Sequence, residues 1–262
     1  GYSSGEISYS VNEGNPKAIY GNTTDVSNVG GLVGRNLGLV HHVINRGDVW
    51  GFGLVVSGIV GENSGVLNTS YSVGGAENVN SINATKVLGG VVGNNTAKGV
   101  VENVFYNSSL IPNVNVYGTN LGSVVNSKGI ESAEMKKEML AWIFNTNDGA
   151  KENSRDSSIN AAENDGYPIF ADENNLPVYR VVQKVEGEVT NTRYAKGAFS
   201  IKSNPSASDD FIFVGWVDQD GDVFTNGTVL SKDLDLEAYF AEKEGLSAHA
   251  RSAVIRLEGK NE

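Results

Sequence analysis

Cysteine is absent from this 262-residue chain. That removes disulfides, thiol nucleophiles and cysteine-bound zinc or iron–sulfur centres. Histidine is scarce, with only His41, His42 and His249, so metal and acid–base sites built on imidazole have little material. Proline occurs five times. No uninterrupted apolar stretch reaches the roughly 20 residues that a membrane-spanning helix requires. The opening Gly1–Gly5 lacks the basic start and apolar run of a signal peptide, and is expected to be a cut within a larger protein. Clusters of Lys and Arg are also missing. The formal net charge is −11, which disfavours nucleic-acid backbones and anionic membranes as partners.

Acidity is concentrated in the second half. Residues 1–130 carry seven acidic and six basic side chains, against fourteen and nine over 181–262. Glycine is abundant, with 32 residues and no strict G-X-Y period, which fits turn-rich β structure and not collagen. At 39% hydrophobic residues there is enough apolar material for a packed core.

The glycines are organised. Gly31-Leu32-Val33-Gly34-Arg35-Asn36 recurs as Gly58-Ile59-Val60-Gly61-Glu62-Asn63 and as Gly90-Val91-Val92-Gly93-Asn94-Asn95, with a weaker copy at Gly118–Val125. A second element, Asn68–Gly74, recurs at Asn103–Tyr106, and Tyr2–Ile7 loosely matches the tail of the unit. Each unit holds short β-rich segments that cannot bury their apolar side chains alone, whereas stacked copies can. The expected fold is mainly β: a right-handed parallel β-helix-like solenoid over 1–179, with a loop near Ala76–Asn83. Asn36, Asn63 and Asn95 share one position and are placed to satisfy turn backbone groups or one another.

Ser132–Phe144 reads as a helix capped at its N-terminus by Ser132, with Met135, Met139, Trp142 and Ile143 on one face. That stripe is expected to close the end of the solenoid. Residues 145–166 read as a polar loop, and Gly166–Phe170 returns the chain to the core. A second domain is expected over 180–262. It has the alternating strand Leu234–Phe240 and a hairpin that turns through Asp218–Asp222.

These repeats resemble the GLUG repeat, a Gly-Gly-Leu-Val-Gly-x-Asn-x-Gly-x-Val unit of bacterial surface proteins and of some immunoglobulin-A-type peptidases, over about residues 28–125. The second domain is similar to the β-grasp-like repeats of internalins and adhesins. That likeness rests on Phe213-Val214-Gly215-Trp216, the Asp218–Gly221 hairpin and the Asp233–Ala238 strand. The resemblance implies an extracellular location, secreted or wall-attached, in a large multidomain parent, with any peptidase chemistry outside these repeats.

Candidate chemistry is sparse. Asp218, Asp220 and Asp222 alternate in a way that invites calcium, but the EF-hand positions for Gly and Glu are filled by Val223 and Val229; a hairpin turn is the plainer reading. His41 and His42 are adjacent, so in a regular strand they point apart, and no His-Glu-x-x-His occurs. No nucleophile motif or facing carboxylate pair is legible, so no catalytic residue is assigned. Tyr71 and Tyr106, taken to occupy matching positions, are candidate glycan contacts with Phe105, Asn63 and Asn95; the alternative is packing. The chain is expected to be a non-catalytic spacer, scaffold or adhesion module with a host protein or glycan as partner. The alternatives are a carbohydrate-binding or glycan-degrading β-helix module, and an accessory region of a secreted peptidase.

Overall fold

The computed structural model describes residues 1–14, 17–18, 28–51, 55–78, 87–146, 157–160, 163–170 and 174–242. The molecule is mainly β, and its first half is built from parallel sheets to which successive repeats add one strand each. A five-stranded sheet runs Tyr2–Ser3, Val33–Asn36, Val60–Asn63, Val92–Asn95, Tyr117–Asn120. A six-stranded sheet runs Glu6–Asn12, Leu39–Asn45, Val66–Ser72, Val100–Asn107, Ser123–Val125, with Lys128–Ile130 also paired to Val100–Asn107. Two three-stranded sheets complete the stack. One holds Lys17–Ala18, Val49–Gly51 and Ala76–Asn78, the other Asn28–Gly30, Val55–Ser57 and Val87–Gly89. Ala76–Asn78 is therefore a strand and not the start of the expected loop; residues 79–83 of that loop lie outside the described residues. Tyr2–Ser3 pairs with Arg35–Asn36, so the opening segment falls at the head of the unit and not in its tail.

Register puts like residues in files. Ile7, Val40, Leu67, Val101 and Val124 are successive partners, and the middle three are fully buried. Along a regular strand, position 67 inside would place 69 and 71 inside as well. Instead Tyr9, His42, Thr69, Asn103 and Asn126, one in each unit, have φ between +42° and +52°. This left-handed residue reverses the alternation. Val43 and Val104 join Val40 and Val101 in the central cluster, while Ile44, Tyr71 and Phe105 turn to the opposite face.

Glycine in the stack serves close approach. None of its described glycines has positive φ. A Cβ on Gly65 would lie 2.1 Å from the Gly38 carbonyl oxygen, and one on Gly38 would lie 2.1 Å from that of Gly5. Neighbouring units approach too closely there for any side chain.

The helical segment departs from expectation. It forms two helices, α1 (Ser132–Met135) and α2 (Glu138–Thr146). The N-cap of α1 is Glu131, without a side-chain cap bond; Ser132 instead exchanges hydrogen bonds with Asn107 through its hydroxyl. The break moves the buried face to Leu140, Ala141 and Phe144, and Met139 is exposed. Met135, Leu140 and Phe144 pack on Ile44, Tyr71 and Phe105, which belong to three consecutive units. The helices therefore lie along the flank of the six-stranded sheet, across several units, and do not close the end of the stack. The reversed alternation is the reason: it turns an apolar file outward, and that file has to be covered.

Pro168–Phe170 pairs with Ser157–Ile159 and straps the same flank. The Tyr71 hydroxyl donates to the Pro168 carbonyl and accepts from Asn164 Nδ2 at 2.9 Å. Beyond it, Glu188–Ala195, Tyr179–Val185, Leu234–Glu242 and Phe211–Val217 form a mixed four-stranded sheet in that order. Its core gathers Phe199, Trp216, Leu230, Leu234 and Leu236. The joint is specific: Trp142 Nε1 donates to Asp233 Oδ2 at 2.9 Å, and the Arg180 guanidinium sits 5.2 Å over the indole. Among the described residues no helix is long and apolar enough to cross a membrane.

Candidate functional site

The shared asparagines form a directional ladder. Asn36 Nδ2 donates to Asn63 Oδ1 at 2.9 Å, Asn63 Nδ2 to Asn95 Oδ1 at 2.9 Å, and Asn95 Nδ2 to Asn120 Oδ1 at 2.8 Å. The same amides also donate to the carbonyls of Val66, Val100 and Ser123 in the following unit. The ladder oxygens accept from Gly38 N and Gly122 N as well. Asn36, Asn63 and Asn95 have no exposed surface. Asn63 and Asn95 are thus not available as glycan contacts: their hydrogen-bonding capacity is consumed inside the stack. Asn120 is a fourth member, present in the weak Gly118–Val125 copy at the same offset from its neighbouring glycine.

The aromatic candidates are corrected in the same way. Tyr71 is 1% exposed, Phe105 1% and Tyr106 3%. Tyr71 pairs in register with Phe105, and Ser72 with Tyr106, so the two tyrosines do not match and face opposite sides. Tyr71 stacks on Phe144 at 5.5 Å. Burial raises its phenol well above the ordinary value near 10, with Asn164 opposing. Tyr106 lies in the central cluster, where Gly90 and Gly129 leave room for its ring. Its hydroxyl donates to the Val114 carbonyl.

His41 and His42 do not point apart. The left-handed His42 turns its ring back, so the two Nδ1 atoms meet at 2.8 Å. His41 Nε2 reaches Glu6 at 2.9 Å, an acidic partner brought by the neighbouring strand. The imidazole of His42 stacks on Tyr9 at 5.0 Å. Two Nδ1 atoms this close share one proton, so one ring donates and the other accepts. Among the described residues no group of three or more His, Asp or Glu is disposed to hold a metal ion.

The Asp218–Asp222 segment is a turn. Asp218 Oδ1 accepts from the amides of Asp220 and Asp222, each at 2.9 Å, and Gly221 takes φ +86°. Lys232 pairs with Asp220. Two of the three carboxylates that a calcium site would need, those of Asp218 and Asp220, are thus engaged in holding the turn.

The described residues also border open concavities. A groove of about 570 Å³ at the last unit of the stack is lined by Tyr106, Val116, Tyr117, Asn120, Val124 and Lys128, among others. One of about 230 Å³ in the second sheet region is bordered by Lys202, Asn204, Phe213, Trp216, Phe224 and Asn226. No protein-family model matches this chain, and no curated protein matches it either.

Proposed function

We propose that this chain is a non-catalytic stretch of an extracellular, GLUG-type bacterial surface protein. In this reading residues 1–179 form a right-handed parallel β-solenoid that serves as spacer or scaffold. Residues 180–262 form a β-grasp-like surface module beside it, and both belong to a larger multidomain parent that is secreted or attached to the wall. The observation that carries the reading is the asparagine ladder. The most regular polar residue of the repeat is spent on joining one unit to the next. The aromatic candidates are likewise spent on packing. A repeat selected for ligand contact would present its recurring polar group outward.

A spacer depends on its stack and not on its outward side chains. With the chain placed between a wall anchor and a reporter, Trp50→Ser and Leu110→Ser, both at exposed positions, should leave reporter display unchanged. Asn63→Leu should abolish it. A glycan array should give no saturable binding; saturable binding to any glycan class would replace this reading with the carbohydrate-associated one.

A further inference from the structure

The last unit of the stack lies well inside the chain. After Lys128–Ile130 the chain turns into α1 and α2, which pack on Ile44, Tyr71 and Phe105 of earlier units. Tyr117–Asn120 is the final strand of the five-stranded sheet and Ser123–Val125 that of the six-stranded one. Among the described residues no strand pairs with their outer edges. Solvent reaches this end: Leu121 is 78% exposed, and the groove of about 570 Å³ lies against Val116, Asn120 and Val124. A row of unpaired amides and carbonyls is a template for a further strand.

Three units in succession show what such an edge receives. Two neighbouring amides donate to one carbonyl of the following unit: Leu32 and Val33 to Ile59, Ile59 and Val60 to Val91, Val91 and Val92 to Val116. The carbonyl of the ladder asparagine accepts an amide of the following unit, from Ser64, Thr96 and Leu121 in turn. The next glycine does the same, Gly38 from Val66, Gly65 from Val100 and Gly99 from Ser123. The last unit carries the same set in the amides of Val116 and Tyr117 and the carbonyls of Asn120 and Gly122. Asn120 Nδ2 adds a donor that has no acceptor among the described residues, while its Oδ1 accepts from Asn95 Nδ2 and Gly122 N.

The same units fix the side chains of a strand that fits. Pairing across both sheets is parallel throughout. Facing Asn120, the strand needs a side-chain oxygen, as Asn63 and Asn95 present to their predecessors. Two residues on it needs glycine. A Cβ on Gly65 would lie 2.1 Å from the Gly38 oxygen, and one on Gly122 2.2 Å from the Gly99 oxygen. Two further on it needs an aliphatic side chain. Val40, Leu67 and Val101 are each followed by a partner in the next unit and are fully buried, whereas Val124 at the end of that file is only partly buried.

We propose that this end of the stack is a strand-accepting surface. It takes an extended Asn-x-Gly-x-Leu or Asn-x-Gly-x-Val segment of another polypeptide, added in parallel. The asparagine oxygen of that segment accepts from Asn120 Nδ2, its glycine lies over Gly122, and its aliphatic side chain enters the groove above Val124. Its amides reach the Asn120 and Gly122 carbonyls, and one of its carbonyls takes the amides of Val116 and Tyr117. The segment has to be unpaired in its own chain, because the interior repeats here are bonded on both edges.

The probe is a synthetic, fluorescently labelled peptide of residues 58–73, which carries Asn63-Ser64-Gly65-Val66-Leu67. Titrated with the full chain and followed by anisotropy, it should bind saturably. Substitutions in the peptide leave the fold of the protein untouched: Asn63→Leu, Gly65→Val and Leu67→Asp should each weaken binding roughly tenfold or more. In the protein, Asn120→Asp keeps the oxygen used by Asn95 and Gly122 but removes the donor. It should weaken binding to the same degree with an unchanged circular dichroism spectrum. Bound peptide should also slow amide exchange at Val116 and Tyr117. Absence of saturable binding overturns the proposal, as does a scrambled peptide that binds as tightly. Unchanged exchange at Val116 and Tyr117 under saturating peptide overturns it too. Self-association of the chain that Asn120→Asp abolishes would assign this end to a second copy, and would equally overturn it.

Discussion

Thr69 holds a conformation that suits it poorly. It is 2% exposed, β-branched, and has φ +45°, a region that β-branched residues avoid. Its counterpart one unit later is Asn103, also buried and left-handed. Asparagine tolerates this backbone, and the neighbouring unit already accommodates it. Thr69→Asn should therefore raise the unfolding free energy by about 1 kcal/mol, read as a higher urea midpoint at unchanged slope; a fall would mean that the Thr69 hydroxyl bond to Asn68 outweighs the backbone strain. Tyr71 makes a second prediction at this scale. Its pKa is raised in the folded state because burial penalises the phenolate. A raised folded value means that the stabilisation is complete below the unfolded value, about 10, and is lost as pH climbs above it. Stability should decline above pH 10, and Tyr71→Phe should remove about one proton from that dependence in a pH series of urea unfolding.

At the scale of elements, α1 and α2 show how far local pattern reaches. Helical character over 132–144 was legible from apolar spacing, but the buried face was not. The break at Lys136–Lys137 shifts the phase, and the surface waiting for the helix is created by the reversed alternation in each strand. Nothing local marks that reversal, because its residues are Tyr9, His42, Thr69, Asn103 and Asn126 and no glycine stands among them. The same reversal hid the meeting of His41 with His42, whereas a one-residue offset in register separates Tyr71 from Tyr106. Phe144 joins the helix to the file, 4% exposed and stacked on Tyr71. Phe144→Ala should cost about 3–5 kcal/mol, and hydrogen exchange should quicken over 138–146 and 164–170 together. Exchange confined to 138–146 would show that the strap is held independently of the helix.

For the molecule as a whole, the repeat was readable because one local string, Gly-x-Val-Gly-x-Asn, has one job in each unit. Its glycines allow close approach and its asparagine joins neighbours. The three strong copies fall in register as their spacing requires, at offsets of 27 and 32 residues between ladder asparagines, with the weak copy adding Asn120. Inward use of those asparagines was one of two readings open from the residues alone. Burial decides it, since a recurring Asn is equally consistent with a ladder inside or a row outside. The central claim, that the repeat's polar signature is consumed by the stack, is tested most directly by side-chain amide exchange of the ¹⁵N-labelled chain. The Nδ2 protons of Asn36, Asn63 and Asn95 should exchange only through global unfolding, orders of magnitude more slowly than those of exposed Asn115. If the three exchange as fast as Asn115, the ladder is absent and the account is wrong.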